Sequence, residues 1–180
     1  SMGFVLATGT DPAAQLHRAA RTLLDQGARN SSCGLLSIEH DHHFEPQDLD
    51  DLLEVSHDDP QAIVGGIYYQ RQDDILVGDV VEPLPKWENE RTPAYRCKSV
   101  GLGFTLIPWS VFDKVAEPWF DPRWQIRMGK WFRESHDMAF CRLARDQGVP
   151  IVGVILRTLT HVHEPPPRGE RDAEVANIEQ

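Results

Sequence analysis

Hydrophobic residues form two kinds of pattern along this chain, short apolar runs and longer segments with helical spacing. The short runs, bounded by polar residues, predict buried strands. The longer segments have apolar residues three or four positions apart and predict helices. The predicted strands cover 4–7, 35–38, 62–69, 100–107 and 151–156, and the predicted helices 13–26, 46–56, 109–115 and 135–147. Because strands alternate with helices, the pattern predicts an α/β fold.

Capping signals and composition mark the remaining boundaries. Asp11 suits the N-cap of the first predicted helix, and Ser135 suits the N-cap of the last. We predict an irregular or hairpin segment over 73–99 and an aromatic-rich loop over 117–134. Residues 165–180 are rich in proline and charge and predict a disordered tail after a single domain over 1–164.

Composition excludes some classes of function. With 180 residues, 41% of them hydrophobic and 26% charged, the chain is long enough for one real core. A net charge of −10 argues against a broad binding surface for nucleic acid or anionic membrane, although a local basic groove stays compatible with it. The three cysteines have no metal-type spacing, which favours reduced thiols and a cytoplasmic location. No apolar run approaches the roughly 18 residues of a membrane span.

Acidic and imidazole side chains are concentrated directly after the predicted strand 35–38. Glu39 and Asp41 lie on one side of an extended segment, at the carboxyl end of a strand, where α/β folds bind ligands. Carboxylate oxygens suit Mg²⁺ or Mn²⁺, so the pair predicts a metal site; an acidic loop is the alternative. His42 and His43 are ligands, acceptor contacts or solvated loop residues on this pattern.

Three further groups of residues are candidates for chemistry. Gly101 and Gly103 interrupt a predicted strand, which indicates either close approach by a ligand or a bulge. Asp137, with Glu134 nearby, lies at a helix start, as a capping acid or as a catalytic base. By alternation, the imidazoles of residues 161 and 163 share one face after the last strand, either as metal ligands or as a surface pair.

One local basic patch stands out in this acidic chain. It lies in residues 121–134, flanked by tryptophans, and contains Arg123, Arg127, Lys130 and Arg133. Such a patch favours contact with an anionic acceptor or with donor phosphates. The alternative is a lid whose aromatic side chains cover the core.

The order of these motifs is more specific than any one of them. Over about residues 33–163 the chain resembles family-2-type glycosyltransferases of the GT-A fold, particularly short bacterial and phage-like members. The matching residues are Glu39, Asp41, His42, Phe44 and Pro46 for the Asp-x-Asp-His-x-Phe-x-Pro motif; 63–69 for a Val-Gly-Gly strand; Gly101, Gly103 and Phe104 for Gly-x-Gly-Phe; Pro118, Trp119 and Phe120; Ser135, His136, Asp137, Phe140 and Cys141; and His161, with His163 as its rival.

The resemblance implies a GT-A, Rossmann-like fold: a mixed, mostly parallel sheet flanked by helices, here with a shortened N-terminal nucleotide-binding half. It implies transfer of a sugar from a nucleotide-diphosphate sugar, UDP- or GDP-linked, to a glycan or other hydroxyl acceptor, with inversion. The net charge of −10 gives no support to a nucleic-acid acceptor. Mn²⁺ or Mg²⁺ would act as a Lewis acid on the diphosphate.

The resemblance also implies roles for individual residues. Asp41 and His161, or His163 in its place, would hold the metal, and Glu39 would contact the ribose or the metal. Gly101 and Gly103 would admit the donor sugar. Asp137, with His136 beside it, would accept the acceptor proton. The nucleoside contacts would come from the segment after the first strand, namely Thr8, Thr10 and Asp11.

Departures from the family pattern define two alternatives. Glu39 replaces the first aspartate of the motif, His136 replaces a glutamate, and the N-terminal half is short, so a GT-A-like nucleotide- or glycan-binding protein without catalysis is one alternative. The other is a metal-dependent hydrolase that uses the histidines at 40–43 together with His161 and His163.

Overall fold

The computed structural model describes residues 11–28, 34–67, 69–70, 75–76, 79–87, 92–127 and 129–161. It gives only the backbone of residues 69, 70, 75, 76, 125, 127 and 161. The predicted first strand at 4–7 and the predicted tail at 165–180 lie outside the described residues.

The described part of the chain contains short strands interspersed with helices. The helices are α1 (Pro12–Asp25), α2 (Pro46–Asp58), α3 (Trp109–Lys114) and α4 (His136–Asp146). The strands are β1 (Gly34–Ile38), β2 (His42–His43), β3 (Ile63–Ile67), β4 (Tyr69–Gln70), β5 (Ile75–Leu76), β6 (Val80–Pro83), β7 (Ala94–Cys97), β8 (Phe104–Pro108), β9 (Arg123–Arg127), β10 (Lys130–Glu134), β11 (Ile151–Ile155) and β12 (Thr160–His161).

A mixed six-stranded sheet in the order β1-β8-β3-β11-β7-β6 forms the centre of the fold. Only β3 and β11 pair in parallel, with Ile63 opposite Ile151; the other described pairs in this sheet are antiparallel. The α/β class is therefore confirmed, but the prediction of a mostly parallel sheet is wrong for the described strands. Because β8 and β7 run against their neighbours, β1, β3 and β11 point the same way and end at one edge.

Helices cover both faces of this sheet. Alternation along β3 sends Ile63 and Ile67 into the core cluster that also contains Ala20 of α1, Phe112 of α3 and Phe140 of α4. Val64 points to the opposite face, where Leu52 and Val55 of α2 pack. All five residues of β3 are buried, as expected for a strand that is covered on both sides.

The predicted caps are confirmed. The Asp11 carboxylate accepts a hydrogen bond from the Ala14 amide at 3.3 Å, and the Ser135 hydroxyl accepts one from the Met138 amide at 3.4 Å. Each satisfies an N–H group that has no partner within the helix. The helices begin within one residue of the predicted starts.

Two segments differ from the sequence-based expectation. The predicted loop over 117–134 contains a hairpin, formed by β9 and β10. Gly101 and Gly103 lie in a turn before β8 and not inside a strand. Alternation of apolar and polar residues is weak in the first segment and interrupted by glycine in the second. The local sequence therefore did not reveal the strands β9 and β10 or the true start of β8. Within residues 73–99, β6 and β7 form an antiparallel pair, which agrees with the hairpin predicted there and joins the central sheet through β11.

Two smaller observations concern the helices and the cysteines. Every helix in the described ranges is too short or too polar to cross a bilayer. Cys97 and Cys141 are buried free thiols, and burial raises their pKa values to about 11 and about 12.

Candidate metal and acid–base site

A tight turn directly after β1 brings the predicted ligands together at the sheet edge. The Glu39 amide donates to the Gly103 carbonyl at 2.7 Å, which fixes the strand end against the turn before β8. The His42 amide then donates to the Glu39 carbonyl at 3.2 Å. The chain thus reverses between these residues, so that side chains at 39, 41 and 42 converge.

Glu39, Asp41 and His42 each offer a ligand atom, and these atoms all lie within 4.8 Å of one another. The His42 side chain is 1% exposed, and its Nδ1 lies 3.2 Å from Oδ1 of Asp41, whose side chain is 28% exposed. Glu39 and Asp41 are half-buried. Two carboxylates and one imidazole at this spacing form a donor set that fits a divalent cation.

Gly103 supports this cluster from behind. A Cβ atom at this position would lie 2.9 Å from Glu39 Oε2 and 2.9 Å from His42 Nε2, and closer still to His42 Cε1. Side-chain atoms do not tolerate such separations, so only glycine lets the backbone approach the ligands this closely. Close contact with the cluster therefore explains why position 103 is a glycine.

His136 and Asp137 form a second pair of titratable groups at the start of α4. His136 Nε2 lies 2.5 Å from Oδ1 of Asp137, and their side chains are 19% and 29% exposed. That oxygen is shielded from solvent and faces the His136 imidazole. A carboxylate held against an imidazole is an arrangement suited to accepting and passing on a proton.

The charges of this pair act on the Glu39–Asp41–His42 cluster. Burial raises the pKa of Glu39, and the negative charges of Asp137 and Asp41 raise it further. Burial alone would lower the pKa of His136, but the hydrogen bond and charge of Asp137, with the charges of Glu39 and Asp11, raise it overall. Ionisation of Glu39 is thus unfavourable in this environment, and the positive charge of a bound cation would offset that effect.

An open cleft of about 430 Å³ adjoins Asp137. Its lining combines the turn before β8 with the start of α4, and consists of Asp79, Ser99, Val100, Gly101, Ser135, Asp137 and Met138. The buried Thr105 hydroxyl donates to the Gly101 carbonyl at 2.6 Å and so fixes this wall. The cleft has room for part of a small ligand beside the candidate base.

The structure brings together most of the predicted site residues. Glu39, Asp41 and Gly103 belong to the cluster, Gly101 and Asp137 line the cleft, and His136 pairs with Asp137. Asp11 caps α1 and lies within electrostatic range of His136. The backbone of His161 pairs directly opposite His42 through β12 and β2. Thr8, Thr10 and His163, together with the His161 side chain, lie outside the described residues.

Two residues take roles that the pattern alone did not assign. His42, which the residue pattern left open between ligand and solvated loop, is the buried member of the cluster, whereas its neighbour His43 is exposed. The sequence signal that favoured a functional role for His42 was its match to the histidine of the family's Asp-x-Asp-His-x-Phe-x-Pro motif. Glu134 is 1% exposed, and its carboxylate accepts three hydrogen bonds from Arg142, at 3.3, 3.2 and 3.1 Å. Glu134 therefore belongs to a structural ion pair, and Asp137 is the candidate base.

The chain is thus an α/β protein with a mixed six-stranded sheet and an acid-rich site at one edge. Among solved structures it is similar to A197 from STIV, with 20% sequence identity and a TM-score of 0.59. The similarity covers 89% of this chain and 72% of that one, and at this identity it shows a shared fold alone. The sequence matches no protein-family profile and no curated protein.

Proposed function

We propose that this chain is a metal-dependent glycosyltransferase of the GT-A type, which moves a sugar from a nucleotide-diphosphate sugar to an acceptor hydroxyl with inversion. One observation carries the proposal: the ligand atoms of Glu39, Asp41 and His42 converge after β1, and the His136–Asp137 pair beside an open cleft is near enough for its charges to shift the pKa of Glu39. Glycosyl transfer from a diphosphate needs both elements, a cation for the leaving group and a base for the acceptor.

Asp41, Glu39 and His42 would hold the cation, with His161 as a further candidate ligand. When bound, the cation would neutralise charge that develops on the departing diphosphate. The imidazole beside two carboxylates favours Mn²⁺ over Mg²⁺, because Mg²⁺ prefers an all-oxygen environment. The raised pKa of Glu39 supports this assignment, because burial and the charges of Asp137 and Asp41 disfavour the ionised carboxylate, and a bound cation would favour it.

Asp137 would accept the proton of the acceptor hydroxyl. Its buried Oδ1 faces His136 Nε2 at 2.5 Å, so the imidazole would orient the carboxylate. Gly101, on the wall of the same cleft, would let the donor sugar approach the backbone. Asp11, whose charge acts on His136, would contact the nucleoside, together with Thr8 and Thr10. A cytoplasmic location fits the free thiols of Cys97 and Cys141.

A thermal-shift panel of UDP, GDP, CDP, ADP and dTDP, each with and without Mn²⁺, tests the proposal. At about 100 times its dissociation constant, a ligand adds about 2.7 kcal/mol to the stability of the native state. For a chain of this size that corresponds to a rise of about 5–11 °C in melting temperature. We expect such a rise for one nucleotide, and only with Mn²⁺.

Asp41→Ala should abolish this rise, and Asp50→Ala should retain it. Asp50 is an exposed acid on α2 and serves as the matched control for loss of one negative charge. A metal-dependent rise that persists in Asp41→Ala would contradict the proposed site. Binding without transfer of sugar from the matching donor to any hydroxyl acceptor would instead support a binding protein.

Hydrolysis is the second candidate, favoured by the nitrogen ligand in the cluster. One imidazole with two carboxylates is a donor set that Zn²⁺ also accepts, and Asp137 could then take a proton from water. His40 and His43 are exposed, so the histidine-rich version of this hypothesis retains only His42 among the described side chains. Stoichiometric zinc in the purified protein, with release of free sugar, would favour hydrolysis over transfer.

A further inference from the structure

The hairpin of β9 and β10 is largely exposed to solvent. Every residue of β10 is exposed except Glu134, the last one, which is buried against Arg142. Gly129, next to β10, has φ of 76°, and a Cβ atom there would meet no atom within 4 Å. The hairpin is thus anchored at its base, through Glu134, and exposed over the rest of β10.

One face of this hairpin is apolar and exposed to solvent. Trp131 lies opposite Ile126 and Trp124 lies opposite Arg133, so these four side chains share a face. Trp124 is 64% exposed, Ile126 62% and Trp131 70%, whereas the other three tryptophans of the chain are buried. Side chains of this size and exposure, contiguous on one face, mark an interaction surface.

The hairpin that carries this face is rich in basic residues. Residues 123–134 contain four of the 18 lysines and arginines of the chain but one of its 28 acidic residues, and that residue is the buried Glu134. Arg133 lies on the apolar face itself, whereas Arg123 and Lys130 alternate to the opposite face of the hairpin. The hairpin therefore presents apolar and basic side chains together, on a chain whose net charge is −10.

We infer that the apolar face of this hairpin docks on an anionic lipid bilayer. Tryptophan prefers the headgroup region, and an aliphatic side chain between two tryptophans gains from burial at the acyl boundary. Arg133 on the same face attracts anionic headgroups, and Arg123 and Lys130 add to the positive charge of the hairpin. Single-stranded nucleic acid fits less well, because it needs aromatic rings as stacking platforms and Ile126 offers none. This inference goes beyond the proposed function and does not depend on it.

Salt limits the repulsion between the acidic body and an anionic bilayer, because charges separated by more than the Debye length of about 8 Å at physiological ionic strength are largely screened. A two-stranded hairpin is also marginally stable by itself in water, so a partner for its exposed face would stabilise it.

Tryptophan emission and co-sedimentation with vesicles test the inference. Vesicles of phosphatidylglycerol and phosphatidylcholine in equal parts would be compared with vesicles of phosphatidylcholine alone, using the full chain. We expect a blue shift and co-sedimentation with the anionic vesicles, both weakened by added salt. The shift would report on Trp124 and Trp131, because Trp87, Trp109 and Trp119 are already buried.

The double variant Trp124→Ala/Trp131→Ala should bind anionic vesicles about tenfold more weakly or worse, since it loses most of the apolar contact. Val81→Ala, which truncates an exposed residue on β6, should bind like the unchanged chain. Melting temperatures would verify that both variants fold. Absence of binding to anionic vesicles would overturn the inference, as would undiminished binding by the double variant. Tighter binding of a single-stranded oligonucleotide than of vesicles would overturn it in favour of nucleic acid.

Discussion

Adding one methyl group at Gly103 tests the geometry of the Glu39–Asp41–His42 cluster most directly. In Gly103→Ala the new Cβ would lie 2.9 Å from both Glu39 Oε2 and His42 Nε2. His42 has little freedom to move away, because its side chain is 1% exposed and its Nδ1 contacts Asp41. Glu39 is the more movable neighbour, so the variant should displace Glu39 or distort the turn that holds both ligands.

The expected effect has two parts. Overpacking of a buried site costs about 1–3 kcal/mol, which for this chain lowers the melting temperature by about 2–12 °C. Displacement of a ligand by its supporting residue weakens metal affinity by about 10- to 100-fold. Unfolding followed by circular dichroism would measure the first effect, and titration calorimetry with Mn²⁺ would measure the second.

Gly153→Ala is the matched control. Its Cβ would meet Ile67 Cγ1 at 2.7 Å and Cys97 Sγ at 2.8 Å, inside the core and away from the ligands. It should lower stability without a change in Mn²⁺ affinity. Wild-type Mn²⁺ affinity in Gly103→Ala, or an equal loss of affinity in both variants, would refute the reasoning that Gly103 shapes the ligand set.

Two further variants test the electrostatics of the site and of the hairpin base. The pKa of Glu39 is raised above its ordinary value of 4.5, so the stability that the protonated carboxyl contributes is lost as pH rises from that value through the raised pKa. Without metal, Glu39→Gln should therefore melt at a higher temperature than wild type at pH 7 and at a similar temperature at pH 4. The variant should also lose the Mn²⁺-dependent rise in melting temperature. A lower melting temperature for this variant at pH 7 would contradict the assignment. Arg142→Met leaves the buried Glu134 carboxylate without its arginine and should cost about 3 kcal/mol or more in urea unfolding. The double variant Glu134→Leu/Arg142→Met should recover much of that loss, and a single variant as stable as wild type would show that the pair is dispensable.

Local sequence determined the helices, several strands and the position of the site. The caps Asp11 and Ser135 and the apolar spacing between them and the following glycines place α1 and α4 almost to the residue, because capping and periodicity act over a few positions. The apolar runs of β3 and β11 are visible for the same reason. The acidic cluster after β1 indicates metal chemistry without any knowledge of the sheet.

Tertiary structure decided the direction of the strands and the membership of the site. Alternation of apolar residues is the same in parallel and antiparallel strands, so the sequence did not reveal that β8 runs against β1 and β3. That reversal brings the Gly103 turn to the carboxyl end of β1, where its carbonyl accepts the Glu39 amide. This packing also decided between the two candidate histidines, because it buries the imidazole of His42 and leaves His43 in solvent. Long-range pairing sets these positions, and no local pattern carries that information.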